Sequence, residues 1–149
     1  MFERFSEGAR LLMTAARHES VRLGAGFISS GHILLALLSD RAFGAVRILT
    51  HVGADIGRLR EEAGKIAPRG DAPPAEGQVP FSPDAKAYIE SAAAMAVKLG
   101  HDTITSSHFL LADLGDPRGL LPRILNELDM DLADIRHKVW EALAKPDPS

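Results

Sequence analysis

The chain has no cysteine among its 149 residues, which excludes disulfides, thiolate chemistry and cysteine metal ligands. Aromatic residues are scarce at 5%, with one tryptophan and one tyrosine. Positive charge is not in excess: 17 Lys and Arg stand against 20 Asp and Glu, for a net charge of −3. A nucleic-acid or membrane-surface binder would carry a basic patch or a strong positive surplus, so neither partner is expected. No apolar run approaches the roughly 20 residues that a bilayer span needs. The opening Met1-Phe2-Glu3-Arg4-Phe5 has no basic segment followed by an apolar one, as a secretory signal would. A cytoplasmic location is the expectation.

Chemical motifs are also missing. Gly64-Lys65 is followed by Ile66 and has no upstream glycine at P-loop spacing, so there is no phosphate cradle of that kind. Gly24-Ala25-Gly26 lacks the third glycine of a dinucleotide fingerprint, and no strand precedes it. Neither G-x-S-x-G nor H-E-x-x-H occurs. No catalytic residue, metal site or cofactor is assigned.

What is present is a repeat. Phe5-Ser6 returns as Phe81-Ser82, Leu23-Gly24 as Leu99-Gly100, and Ile28-Ser29-Ser30-Gly31-His32 as Ile104-Thr105-Ser106-Ser107-His108, each 76 positions later. The register continues without a gap through Arg47-Ile48-Leu49 and Arg123-Ile124-Leu125, Asp55 and Asp131, and Arg60 and Arg136. Residues 5–69 hold 20 identities at this offset. One supersecondary unit is used twice.

The periodicity is helical. Phe5, Ala9, Leu12 and Ala16 stripe one face of a first helix. Ser6 reads as its cap, and Ser82-Pro83-Asp84 as cap, first-turn proline and first-turn acid of its copy. Gly24 and Gly100 suit left-handed turns at the ends of these helices. Ser30 and Ser106 are placed to cap a second helix, whose buried face holds Ile33, Leu34, Leu37 and Leu38. Val46, Leu49 and Val52 mark a third helix, repeated as Leu121, Leu125 and Leu128. A fourth begins after Asp55 with Ile56, Leu59, Ala63 and Ile66, and its copy after Asp131 with Leu132, Ile135, Val139 and Leu143. No sustained alternation predicts a strand. The expectation is an all-α domain of two tandem four-helix repeats, 1–67 and 81–144. A Pro/Gly-rich linker spans 68–80 and a tail that frays spans 145–149.

His32 and His108 recur at one place in the unit. A metal site would want two or more ligands at short fixed spacing, and each copy offers one. Each is read as a partly buried imidazole bonded to nearby backbone, a structural role shared with Gly24 and Gly100. His18, His51, His101 and His137 have no counterparts and are expected at the surface.

The set Met1-Phe2-Glu3-Arg4-Phe5-Ser6, Ile28 to Leu38, Val79-Pro80-Phe81-Ser82-Pro83 and Leu99-Gly100-His101 resembles the N-terminal domain of Clp ATPases, with the ClpC branch nearest. The resemblance covers essentially the whole chain. It implies eight helices in two repeats about a pseudo-twofold axis. It also implies docking of adaptor and client proteins for an ATPase ring that feeds a peptidase.

Read as a free-standing relative without ATPase modules, the chain is expected to be a monomeric adaptor or regulator of Clp-dependent proteolysis. The alternative is a decoy that sequesters cyclic peptide antibiotics. Read as an excised domain, it is the docking domain itself. Its partners are then an adaptor or client protein, a Clp ATPase, or such a peptide. In the family, the loop before the second helix commonly reads G-T-E-H, and its glutamate helps hold the guanidinium of phosphoarginine. The matching positions here are Gly31 and Ser107. The resemblance therefore implies weak or absent phosphoarginine recognition, because a carboxylate partner of a planar cation is missing from both copies. Ser6 and Ser82 keep the family's hydroxyl position, or serve only as helix caps. Phe5 and Phe81 are expected as staples ahead of the caps. Phe2 and Phe81 match an apolar groove that accepts hydrophobic peptides, or Phe2 is terminal packing.

Overall fold

The computed structural model describes residues 2–74 and 76–144. Eight helices follow one another among the described residues: α1 (Glu7–Arg22), α2 (Ser30–Leu37), α3 (Gly44–His51), α4 (Ile56–Ile66), α5 (Pro83–Lys98), α6 (Ser106–Gly115), α7 (Leu120–Glu127) and α8 (Leu132–Ala144). The first residues of α1 to α4 recur 76 positions later as the first residues of α5 to α8, so the sequence repeat is a repeat of helices. No strand occurs among the described residues. Extended pairing is limited to two isolated parallel bridges. The expected tail 145–149 lies outside the described residues.

Capping chemistry sets the helix starts. Ser6 accepts from the Ala9 amide at 3.1 Å and Ser82 from the Ala85 amide at 3.3 Å. Asp55 accepts from the Arg58 amide at 3.2 Å. For α2 and α6 the caps are Ser29 and Thr105, one residue before the serines expected to do this. Ser29 and Thr105 keep extended backbone, whereas Ser30 and Ser106 are already the first helical residues. Adjacent hydroxyls are equivalent as cap candidates, and the backbone conformation decides between them.

α2 and α6 are the centres of their repeats. Every α2 residue from Gly31 to Leu37 is buried, as is every α6 residue from Ser106 to Leu114. α1 packs on α2, and α5 on α6. The repeats also pack on each other, α2 with α5 and α1 with α6, then α3 with α8 and α4 with α7. These four pairs exchange under the 76-residue shift, as a pseudo-twofold relation requires, whereas the packing of α3 on α6 has no equally extensive counterpart between α7 and α2. One continuous core results, with Leu12, Ile33, Leu49, Phe109 and Leu121 almost wholly buried. Each such side chain contributes about 1.5–3 kcal/mol relative to exposure.

The two bridges are swapped between repeats. Phe5 pairs with Ile104, and Ile28 with Phe81. The Ser6 amide donates to the Ile104 carbonyl (2.9 Å), and the Ile104 amide to the Arg4 carbonyl (2.8 Å). The same pattern returns as Ser82 to Ile28 (2.9 Å) and Ile28 to Pro80 (2.8 Å). Each segment entering a long helix thus finds its backbone partner in the other repeat.

The described residues of the segment 68–80 carry no helix, in keeping with its prolines, but they are fastened. The Gly70 amide donates to the Leu23 carbonyl at 3.0 Å and the Ala72 amide to the Gly24 carbonyl at 2.9 Å. The Arg17 guanidinium holds the Gly77 carbonyl at 2.6 Å. No described helix is long and apolar enough to cross a membrane.

Gly24 and Gly100 separate conformational from steric need. Both have left-handed backbone, φ +68° and +73°. A Cβ on Gly24 would strike the Gly70 carbonyl, whereas one on Gly100 meets nothing within 4 Å. Gly100→Ala is expected to cost about 1–2 kcal/mol from backbone conformation alone. Gly24→Ala is expected to cost more, because the fastened segment must also move. Urea unfolding of the two variants checks this, and equal losses would contradict it.

Candidate functional site

The swapped bridges bring helix N-termini together in pairs. At a first junction, α1 entering through Ser6 meets α6 entering through Thr105. At a second, α5 entering through Ser82 meets α2 entering through Ser29. Each junction gathers orphan helix amides and serine hydroxyls, a setting that favours polar or anionic groups.

Each junction is stiffened by a histidine. The His32 Nδ1 accepts from the Ser29 amide at 2.9 Å, and the His32 amide donates to the Ser29 hydroxyl at 3.2 Å. This is a capping box with imidazole in the place of glutamate or glutamine. Nδ1 must then be unprotonated, so Nε2 carries the proton and donates to the Pro68 carbonyl at 2.8 Å. His108 repeats the first half, accepting from the Thr105 amide at 2.9 Å. Its Nε2 meets a different partner, the His101 Nδ1, at 2.8 Å. His101 is therefore not the surface residue expected. It is half-buried and supplies an acceptor where the first repeat uses a main-chain carbonyl. His18, His51 and His137 are exposed.

Phe2 is half-buried, its ring 4.8 Å from Phe5 and 6.0 Å from Phe81. Phe81 is likewise half-buried. The chain of rings continues from Phe5 to Phe109 at 5.9 Å and from Phe109 to Tyr88 at 5.3 Å. Phe2 and Phe81 thus lie together between the junctions, half-buried and backed by core aromatics, rather than forming a fully exposed patch. Ser6 and Ser82 are half-buried helix caps.

Gly31 and Ser107 lie deeper. A Cβ on Gly31 would come within 3.2 Å of the Ala67 Cα and 3.3 Å of the Pro68 ring, so any larger side chain there must displace the end of α4. Ser107 is 7% exposed, and its hydroxyl lies against Gly44 at the start of α3. The structure therefore brings Phe2 and Phe81 together and sets Ser6 and Ser82 at separate junctions. Gly31 and Ser107 sit in packed interiors.

Two polar residues, Asp84 in the first turn of α5 and Asp113 in α6, make contacts that their sequence positions do not reveal. Asp84 bridges α5 to α2, accepting from the Ser30 amide at 3.0 Å and the Ser30 hydroxyl at 2.6 Å. Asp113, near the end of α6, is buried and accepts from the Leu120 and Leu121 amides at 3.0 and 2.7 Å. It caps α7, whose own N-cap, Gly119, has no side chain to do so. The only sequence signal for Asp113 is its replacement of Leu37 in the repeat. No group of three or more metal-ligating side chains occurs among the described residues.

Burial and the nearby His101 push His108 from its ordinary 6.5 to about 4. Burial also lowers His32, against a smaller opposing effect from the bond to Pro68. A histidine depressed in the folded state binds fewer protons there than when unfolded. Stability from His108 is therefore complete above about 6.5 and lost as pH falls toward about 4. Burial raises Asp113 to about 6, which acts in the opposite sense by adding stability as pH falls. The His108 contribution is isolated by His108→Gln, which keeps a cap acceptor and removes the titration. This variant is expected to lose about 1 kcal/mol at pH 7 and to show a flatter fall in urea midpoint from pH 7 to 5. An unchanged slope would contradict the assignment.

Comparison with known proteins places this geometry. The profile of the Clp repeat (R) N-terminal domain matches residues 4–115 and 80–149. The ATP-dependent Clp protease ATP-binding subunit ClpA homolog of Guillardia theta is 35% identical over 143 residues, covering 96% of this chain and 17% of that protein. The chain thus spans about a sixth of the length of such relatives. Among solved structures, the N-terminal domain of ClpD from Arabidopsis thaliana superposes with TM-score 0.70 at 21% identity, covering 97% of both chains. The ClpV N-domain in complex with a VipB peptide superposes with TM-score 0.73 at 16% identity, covering 96% of this chain and 88% of that one.

Proposed function

This chain belongs to the Clp repeat N-terminal domain family, and from that premise we propose that it is a docking module for protein or peptide ligands. It would act as an adaptor or regulator in proteolysis driven by Clp ATPases. The proposal includes a cytoplasmic location and a monomeric state. The observation that carries it is the pair of junctions, with Phe2 and Phe81 between them. Convergent helix ends and a half-buried aromatic pair suit recognition of a chain segment by polar and apolar contacts together. The peptide held by the ClpV N-domain supports the same use of this fold.

The chemistry argues for binding over catalysis. Both ring nitrogens of His32 and of His108 are engaged by neighbours. Neither imidazole is left to serve as a general base without dismantling its cap.

The test is a backbone amide NMR titration with an unfolded, reduced and carboxymethylated model protein. Shifts are expected around Phe2, Ser6, Thr105 and Phe81, and the Phe2→Ala and Phe81→Ala variants are expected to bind about tenfold more weakly. Shifts confined to α4, α7 and α8, or none, would refute the proposal. A second reading is sequestration of an apolar cyclic peptide, which the Phe2–Phe5–Phe81 cluster favours. Sub-micromolar binding of such a peptide without any protein ligand would select it.

A further inference from the structure

The start of α7 is held by a buried carboxylate. Asp113, 7% exposed near the end of α6, spends each oxygen on one amide. Oδ1 takes the Leu120 amide at 3.0 Å, and Oδ2 takes the Leu121 amide at 2.7 Å. These are the first two amides of α7, and Gly119 ahead of them has no side chain to cap them. The turn is pressed against α6. A Cβ on Gly119 would strike the Asp113 carbonyl, and the Gly119 amide donates to the Asp116 carbonyl at 2.8 Å. α7 in turn packs on α4 of the other repeat.

Among the described residues no cation pairs with Asp113. The cations of the helices around it are committed elsewhere. Arg136 of α8 donates to the Leu114 carbonyl at 2.8 Å, and Arg123 of α7 is turned to Glu127. Arg47 of α3 holds the Arg41 and Ala42 carbonyls, and Arg10 of α1 those of Phe2 and Phe5. From α5 comes the buried Tyr88 phenol, whose hydroxyl donates to the Phe109 carbonyl at 2.9 Å. From the α6–α7 turn comes Asp116, a like charge. Burial raises Asp113 to about 6 against the pull of the two amides, and Asp116 adds to the rise.

A proton taken up from solvent turns one carboxylate oxygen into a hydroxyl. A hydroxyl oxygen accepts more weakly than a carboxylate oxygen and directs a donor of its own. Both oxygens are already engaged, so one amide must let go. Leu120 holds the longer bond and is half-buried, whereas Leu121 is wholly buried. The Leu120 amide is therefore the one released. The fold as a whole gains as pH falls, because a buried charge is removed, while the start of α7 loses a tether.

The equivalent place in the first repeat cannot titrate. Leu37 stands at the position of Asp113. The Ala45 amide, equivalent to that of Leu121, donates to the neutral Ser106 hydroxyl at 3.3 Å.

We propose that Asp113 is a proton-operated latch on α7, closed when ionised and released at Leu120 when protonated. Acidification then loosens the start of α7, and with it the α4–α7 contact between repeats, and leaves α3 unaffected.

The test is NMR of the full chain from pH 8 to 5, following backbone amides and side-chain carboxyl carbons together. The Asp113 carboxyl and the Leu120 and Leu121 amide protons are expected to titrate with one midpoint of about 6. The two amides move upfield as the charge is lost, and Ala45 shows no matching shift. Exchange of the Leu120 amide, corrected for its intrinsic rate, is expected to be about tenfold or more faster at pH 5 than at pH 8, the loss of one charge-assisted hydrogen bond. Asp113→Asn keeps one carbonyl acceptor and has nothing to titrate, so fast Leu120 exchange is expected at both pH values. An Asp113 carboxyl that titrates while Leu120 keeps its protection would overturn the proposal, and so would one that stays ionised throughout. Both readings come from the unsubstituted chain and do not depend on how the variant folds.

Discussion

Neither repeat can satisfy the backbone at the start of its own first helix. The amides of Ser6 and Ser82 find their acceptors across the pseudo-twofold axis, at Ile104 and Ile28, which are themselves equivalent residues. A buried backbone donor without a partner costs more than a hydrogen bond normally contributes, about 1–3 kcal/mol. Four reciprocal hydrogen bonds therefore tie the repeats together at the places where their long helices begin. The consequences run outward. Phe5 and Phe81 are held at the bridges, Phe2 rests on both, and helix ends from different repeats are forced into proximity. The candidate docking surface is a by-product of how the fold closes.

Much of this architecture could be read from the chain because it is locally encoded. Hydrophobic spacing of three and four residues, serine and aspartate caps and glycines at helix ends all act within a few positions. Doubling them at a constant offset removed ambiguity about their register. What escaped was decided by contacts distant in sequence or by conformation. Ser29 and Ser30 are chemically equivalent caps, and only backbone conformation separates them. Asp84 reads as an ordinary first-turn acid until Ser30, 54 residues away, is seen to donate to it. His101 has no counterpart in the first repeat and so reads as a surface residue, until His108 of the next helix is seen to meet it at 2.8 Å. The resemblance implies a ligand-holding role for the position of Gly31, but its packing against Ala67 and Pro68 appears only once α4 is in place.

The copies have kept the scaffold and diverged in how they finish it. His32 donates to a main-chain carbonyl of the linker and His108 to a side chain. α3 begins without a side-chain cap, whereas α7 borrows one from Asp113. Such substitutions preserve hydrogen-bond satisfaction and leave no buried side-chain polar atom unpartnered among the described residues. They also give the two halves different electrostatics. A domain built by duplication thereby presents two related but unequal surfaces.

The interdependence of the repeats is tested most directly by native-state hydrogen exchange at the Ser6, Ile28, Ser82 and Ile104 amides. If the swapped bridges join the repeats into one cooperative unit, all four exchange only through global unfolding. Their opening free energies then agree with each other and with the stability from denaturant, within about 1 kcal/mol. Exchange of Ser6 and Ile104 through a low-energy local opening, while Ile28 and Ser82 stay protected, would show that one junction releases alone. That result would contradict the account.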